Sequence, residues 1–316
     1  MSFFHALARR LPRRAGNLPG CGTGRALGAA ALVFAVAAAG QGAWAPAARA
    51  QSIGGEMRPP QLSEAGQAET LQRFRSLRLA DSCFHFTITH IPRRGGQEVA
   101  HKGIIWTSWR DGPVFRIELE RPAGSAEKTP LRYILKGGKN AAIWGLDAAG
   151  KPARLNKAAN QPFFPGLIIT PLELQQPFAY WQTVEYDGTR RFRGRPTHFF
   201  KMLPPGDFKR AHPEIGFVRI GIDKGYDSQV LMQASIFNDS NDEVRRLEIE
   251  SFNSIKGVYI PEELRLLDLR TRDRDVFRVT KAAVLDDARY AQDIYAPATL
   301  GATPPLPPPA RFTKID

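Results

Sequence analysis

Residue types able to do acid–base, nucleophilic or metal chemistry are scattered along this chain of 316 residues. His85, His90, His101, His198 and His212 show no spacing typical of a metal site, and no cysteine stands near to complete a ligand set, so they read as surface or packing histidines. The run Asn238-Asp239-Ser240-Asn241-Asp242-Glu243 is acidic enough to suggest a calcium loop. It lacks the central glycine and spaced ligands of such loops, so a polar hairpin turn is the better reading. Asp286-Asp287 and Glu262-Glu263 are adjacent carboxylates that need not converge on one substrate bond. There is no nucleophile elbow, phosphate-binding glycine loop, dinucleotide fingerprint or zinc-protease helix. An enzyme would have to build its site from dispersed residues, and no catalytic residue, metal or cofactor is expected. Arg190, Arg191, Arg193 and Arg195 surround Phe192 and could meet a polyanion, although a charged hairpin explains them as well.

What remains is apolar. Leu71, Phe74, Phe84, Phe86, Ile88, Trp106, Phe115, Ile117 and Trp144 combine bulk with a position on one helix stripe or one strand face. Two readings are open: they fill a core, as the inward side chains of small barrels do, or they line a cavity for an apolar ligand.

The elements that would position them follow from periodicity. From Leu62 to Ala80, Ala68, Leu71, Phe74 and Leu77 recur at helical spacing after a possible N-cap at Ser63, with Glu69, Gln72, Arg73, Arg75 and Arg78 on the other side. Beyond Asp81-Ser82 the dominant period is two. Phe84-x-Phe86-x-Ile88, Val99 to Trp109, Phe115-x-Ile117-x-Leu119, Leu131-x-Tyr133-x-Leu135 and Ala141 to Leu146 read as five short strands joined by tight turns, an antiparallel meander. About Gly150 to Pro177 the pattern weakens into a long apolar excursion with one short helix near Pro171 to Gln176. Strand patterns then resume from Tyr180 to Leu285, for a total of about ten or eleven strands in a sandwich or barrel. A short helix is expected near Asp287 to Tyr295. The proline-rich tail, 296–316, lacks the amide donors needed for a helix or ladder.

The first fifty residues read as a secretory signal peptide, with Arg9, Arg10, Arg13 and Arg14 before an apolar run and Ala48-Arg49-Ala50 after it. Residues 51–61 read as a flexible leader. Cleavage near Ala50 implies a periplasmic protein and leaves Cys83 as its only cysteine, so the core must hold the fold without a disulfide. Leu18-Pro19-Gly20-Cys21 resembles a lipidation site but precedes the apolar run it should follow, and neither arginine pair carries the rest of a twin-arginine motif. Removing the six arginines of this segment leaves +7 of the formal +13 charge. That excess is compatible with a solvated surface or with peripheral contact to anionic lipid, and nucleic acid is not an expected partner.

Three local patterns resemble the LolA/LolB superfamily of outer-membrane lipoprotein carriers. The helix passes into Phe84-His85-Phe86-Thr87; Gly103-Ile104-Ile105-Trp106 is followed by Arg110 and Phe115; and Ile134-Leu135-Lys136-Gly137-Gly138-Lys139 leads to Trp144. Gly194 to Lys201, Val218 to Asp223 and Leu247 to Phe252 resemble the longer sorting-protein homologues, so the likeness spans 62–285. It implies a LolA-like half-open antiparallel β-barrel over 62–295, with the N-terminal helix and short lid helices over an apolar concave face. It further implies a monomeric carrier or chaperone of lipoprotein acyl chains or lipid, working between an inner-membrane donor and an outer-membrane acceptor. A lid-latching role would fall to Arg110, except that Asp111-Gly112-Pro113 follows where the family has an arginine-proline turn. The alternative is an envelope structural or interaction protein whose barrel is filled and carries no cargo.

Overall fold

The computed structural model describes residues 59–77, 80–109, 112–121, 127–138, 141–155, 162, 166–223, 230–255, 258–285 and 292–315. The signal-peptide region, most of the leader, Arg110 and Phe163 to Pro165 lie outside the described residues.

The N-terminal helix α1 runs Glu64–Ser76, shorter at both ends than the apolar pattern allows. Ser63 caps it by accepting a hydrogen bond from the Gly66 amide at 3.2 Å. The strands β1(Ser82–Ile91), β2(Val99–Ser108), β3(Val114–Leu119), β4(Leu131–Lys136), β5(Ala142–Leu146) and β6(Pro152–Arg154) form an antiparallel meander. A second meander follows the excursion: β7(Thr183–Phe192), β8(Arg195–Leu203), β9(Phe217–Asp223), β10(Leu231–Phe237), β11(Glu243–Ile255), β12(Val258–Asp268) and β13(Arg274–Val284). Pairing of β1 with β13 joins them into one sheet, with β6 and β7 at its two edges. With the short β14(Thr313–Lys314) beside β13, the described sheet has 14 strands against the ten or eleven expected. The very short β6 and β14 fall in the excursion and the tail, where two or three residues show no period.

Because β6 and β7 are opposite edges, the chain between them must cross the sheet. It does so over the concave face, through helix α2(Pro171–Gln175) and a 3-10 turn at Pro177–Tyr180. The polar contacts of this lid prove the curvature. Glu173 pairs with Arg245 on β11, while Gln175 Nε2 donates to the carbonyls of Lys136 on β4 and Ala142 on β5, at 2.7 and 2.9 Å. Six strand spacings separate β4 from β11 in the sheet, about 29 Å if it were flat. Two positions of a helix advance only about 3 Å, so the sheet must roll up toward the lid. Gly137 permits that approach, since a Cβ there would lie 2.9 Å from the Gln175 carbonyl. Among the described residues, no pairing joins β6 to β7, and the barrel stays half open.

The outer face of the N-terminal meander is also covered. Residues 292–315 run across it as 3-10 turns around the Pro304–Pro309 stretch, and Arg116 on β3 clasps them. Arg116 is 1 % exposed and donates to the Ile294 carbonyl at 2.7 Å, to the Thr299 hydroxyl at 3.0 Å and carbonyl at 3.1 Å, and to the Ala302 carbonyl. The tail, expected to form neither helix nor ladder, instead holds short 3-10 turns at Pro297–Thr299 and Pro309–Arg311 and the paired strand β14, because the residues flanking the proline run keep their amide donors.

Candidate functional site

Between the lid and the curved sheet lies a cavity of about 220 Å³. One water needs only roughly 10–15 Å³ of such space, so this cavity holds far more than a single solvent molecule. Its walls come from four sources: Phe74, Leu77 and Ala80 at the end of α1; Phe84, Ile105 and Phe115 on β1 to β3; Leu174, Ala179 and Tyr180 on the lid; and Leu231, Ile249, Phe252, Ile260, Leu264, Phe277 and Val279 on β10 to β13.

The pairing register explains which strand residues face it. Phe84 sits opposite Ile105, and Ile105 opposite Ile117, so these share the concave face. Phe86 is opposite Gly103, where a Cβ would come within 2.7 Å of the phenyl ring. The bare glycine lets that ring lie flat and stack on Phe277 with centroids 4.6 Å apart.

Of the residues singled out by type and spacing, Phe74, Phe84 and Phe115 line the cavity. Leu71, Phe86, Ile88 and Ile117 belong to the apolar core continuous with it but stand outside its wall. Trp106 and Trp144 face the other way. Trp106 is opposite Cys83 and packs with Leu285, Ile294 and Tyr295 beneath the tail, 0 % exposed. Trp144 is opposite Ile134, one position off the inward pair Ile143 and Leu135. The two share one cause: β2 and β5 carry large apolar residues in both alternating sets, and bulk alone does not choose the face. Arg110, the position to which a latch role would fall, lies outside the described residues.

The lid is fastened by other polar groups. Asp275, 1 % exposed on β13, accepts from the amides of Ile168 and Ile169 at 2.7 Å each and contacts His90 Nδ1 at 2.8 Å. Glu173 is buried against Thr170, whose amide donates to it at 2.8 Å and whose hydroxyl also donates to it. Burial drives the Glu173 carboxyl up, opposed by Arg245 and by those Thr170 bonds. From α1, Arg75 donates to the carbonyls of Ala179 and Trp181 at 2.8 and 2.7 Å. Burial lowers the Arg75 pKa, and these two bonds tie α1 to the lid. Sequence periodicity missed the second-half wall and these anchors. Ile249, Leu264 and Phe277 show the same alternation as Phe84, so a signal existed for the wall, whereas nothing marks Arg245 among its neighbours.

Three polar groups on the wall, Thr107, Glu173 and Gln175, are engaged with protein. Thr107 accepts from the Ser82 amide at 3.2 Å, both Gln175 donor bonds go to carbonyls, and Glu173 is held as described. The surface offered to an occupant is therefore mostly hydrocarbon, suited to an aliphatic chain. No catalytic constellation is assembled around it among the described residues, and no group of three metal-ligating side chains occurs among them.

A half-open antiparallel barrel with a helix and lid over an apolar cavity is a LolA-like fold, and comparison with solved structures agrees. A DUF1329 family protein from Desulfovibrio piger superposes with a TM-score of 0.55 at 14 % identity, covering 72 % of this chain and 96 % of that one. A domain assigned to outer membrane lipoprotein sorting from Vibrio parahaemolyticus gives 0.56 at 9 % identity, and a LolA superfamily protein from Nitrosomonas europaea gives 0.54 at 12 %, each with the same coverage. At these identities the likeness is one of fold. No family model and no curated protein matches the chain.

Proposed function

We propose that this protein is a periplasmic carrier that holds the hydrocarbon part of a lipid or of a lipoprotein's acyl chains and hands it on toward the outer membrane without bond chemistry. The observation that carries the reading is the hydrocarbon-walled cavity beneath α1 and the lid. Each methylene moved from water into such a space gains about 0.8 kcal/mol, so an acyl chain crossing an aqueous compartment is stabilised by a dry sleeve of this kind. The likeness in fold to a lipoprotein-sorting domain supports the same class of cargo. A barrel filled by its own side chains, the alternative open to the sequence, is disfavoured by the cavity. Export by the N-terminal segment, contact with donor and acceptor proteins, and a monomeric state are parts of the proposal. Native mass spectrometry with lipid extraction tests it. The expected result is co-purifying acylated ligand, displaced stoichiometrically by an alkyl-chain probe; a protein that neither retains nor competes for such ligands is not a carrier.

A further inference from the structure

The wall of the cavity is split at one place. Strand β12 pairs with β13 only from Glu263 opposite Arg278 to Leu267 opposite Arg274. Nearer its start, β12 pairs with β11 alone, Ile260 standing opposite Asn253 and Pro261 opposite Phe252. A proline has no amide proton to give a neighbouring strand, and at Pro261 the two strands part. Ile260 and Pro261 on one side of the parting and Val279 on the other all line the cavity, so the space lies directly behind the seam.

What lies beside the seam is β14 and the residue after it, Ile315. On one side, Lys281 and Ala282 of β13 face His85 and Phe84 of β1; on the other, they pair with Lys314 and Thr313 of β14. The tail strand therefore sits on the side where β12 is missing. The Ile315 amide donates to the Thr280 carbonyl at 3.0 Å. Thr313 and Lys314 are exposed, whereas Ile315 is 7 % exposed and joins the same apolar core as Ile260, Phe277 and Val279. Ile315 is thus carried into the core by two residue pairs and one further amide bond, all to β13.

We propose that the β12–β13 seam is a lateral port of the cavity and that Ile315 is its plug. The inference rests on the carrier reading. An alkyl chain passing through a side slit enters lengthwise between two strand edges, with its polar head remaining in water, and the lid anchors at Glu173 and Asp275 stay closed. Withdrawal of Thr313–Ile315 breaks few hydrogen bonds, while the upstream clasp at Arg116 holds the rest of the tail in place.

The test is exchange of dansyl-hexadecylamide in the full chain. With Cys21 replaced by serine, the Lys281→Cys/Lys314→Cys pair links positions that are directly opposite and exposed; Cys83 is buried, and burial pushes its thiol up, which keeps it out of the crosslink. The crosslinked form is expected to release the probe at least about tenfold more slowly than the same chain after reduction, and Ile315→Ala to release it about tenfold faster, the scale set by loss of a buried isoleucine. Equal release from the crosslinked and reduced forms overturns the port and leaves the carrier reading intact. Absence of probe binding in the unmodified chain overturns both.

Discussion

Glu173 Oε1 lies 2.8 Å from Arg245 Nη2, an ion pair with both partners largely buried that ties the lid helix to the floor of the sheet. Arg245 also donates to the Ile168 carbonyl, so one guanidinium fastens the lid at two points five residues apart.

Arg245→Ala strands the Glu173 carboxylate without its counter-charge, and a loss of about 3–5 kcal/mol is expected, as for other broken buried pairs. Replacing both, as Glu173→Leu with Arg245→Met, should recover most of that loss because no charge is then left buried. Urea denaturation of the single and double variants measures the difference. Equal destabilisation in both would show that the pair does not act as a unit.

Leu264→Trp places an indole in the cavity. Probe binding should disappear while the far-ultraviolet circular dichroism is kept, at an overpacking cost of about 1–3 kcal/mol. Phe115→Ala works in the opposite sense. It should enlarge the space and admit a bulkier alkyl probe, at a cost below the roughly 3–5 kcal/mol of a fully buried phenylalanine, since Phe115 is half-buried. Unaltered binding in both variants would place the ligand elsewhere.

Arg116→Met removes the donors that hold the tail and leaves the Ile294 and Thr299 carbonyls without their partner, each worth about 1–3 kcal/mol where burial persists. Limited proteolysis should then cut within 292–315 before it cuts the barrel. Trp106, dry beneath the tail, should shift its emission to longer wavelength.

The outer face of the second meander carries a ladder in which Arg193 bonds Glu248 and Glu250, and Arg265 and Arg278 bond Glu263. The Arg193 hydrogen bond holds the Glu250 carboxyl below its ordinary value of 4.5. Burial pushes Glu263 the other way, but its bonds to Arg278 and Arg265 outweigh it and the net direction is again down. Such groups contribute fully above the unfolded value near 4.5, and their contribution is lost as the pH falls toward the depressed folded values. Because the arginines are well exposed, each pair is worth less than about 1 kcal/mol. The urea midpoint should drop on acidification, with Glu250→Gln and Glu263→Gln each flattening the slope. A slope identical to that of the unsubstituted chain would remove these two carboxylates as its source.

Much of the fold was legible because alternation survives wherever one face of a strand meets water. Phe115, Ile117 and Leu119 alternate with Arg116, Glu118 and Glu120, and β3 with its neighbours followed directly from that. Even there the pattern concealed something, since Arg116 and Glu118 are buried beneath the tail. On β3 the charged residues mark the face away from the apolar core, and whether that face is wet depends on what the rest of the chain lays over it.

The candidate site divides along the same line. Spacing alone determined that Phe74 belongs to the apolar stripe of a helix, that Phe84 and Phe115 belong to one face of their strands, and that a long apolar excursion interrupts two runs of strands. Periodicity is a local property and can be read residue by residue. Which face turned inward at Trp106 and Trp144, which distant wall met Phe84, and that Arg245 would reach Glu173 were decided only by tertiary structure. Strand register and sheet curvature are set by pairings such as Phe84 with Ala282, nearly two hundred positions apart, and no local pattern encodes a partner at that distance.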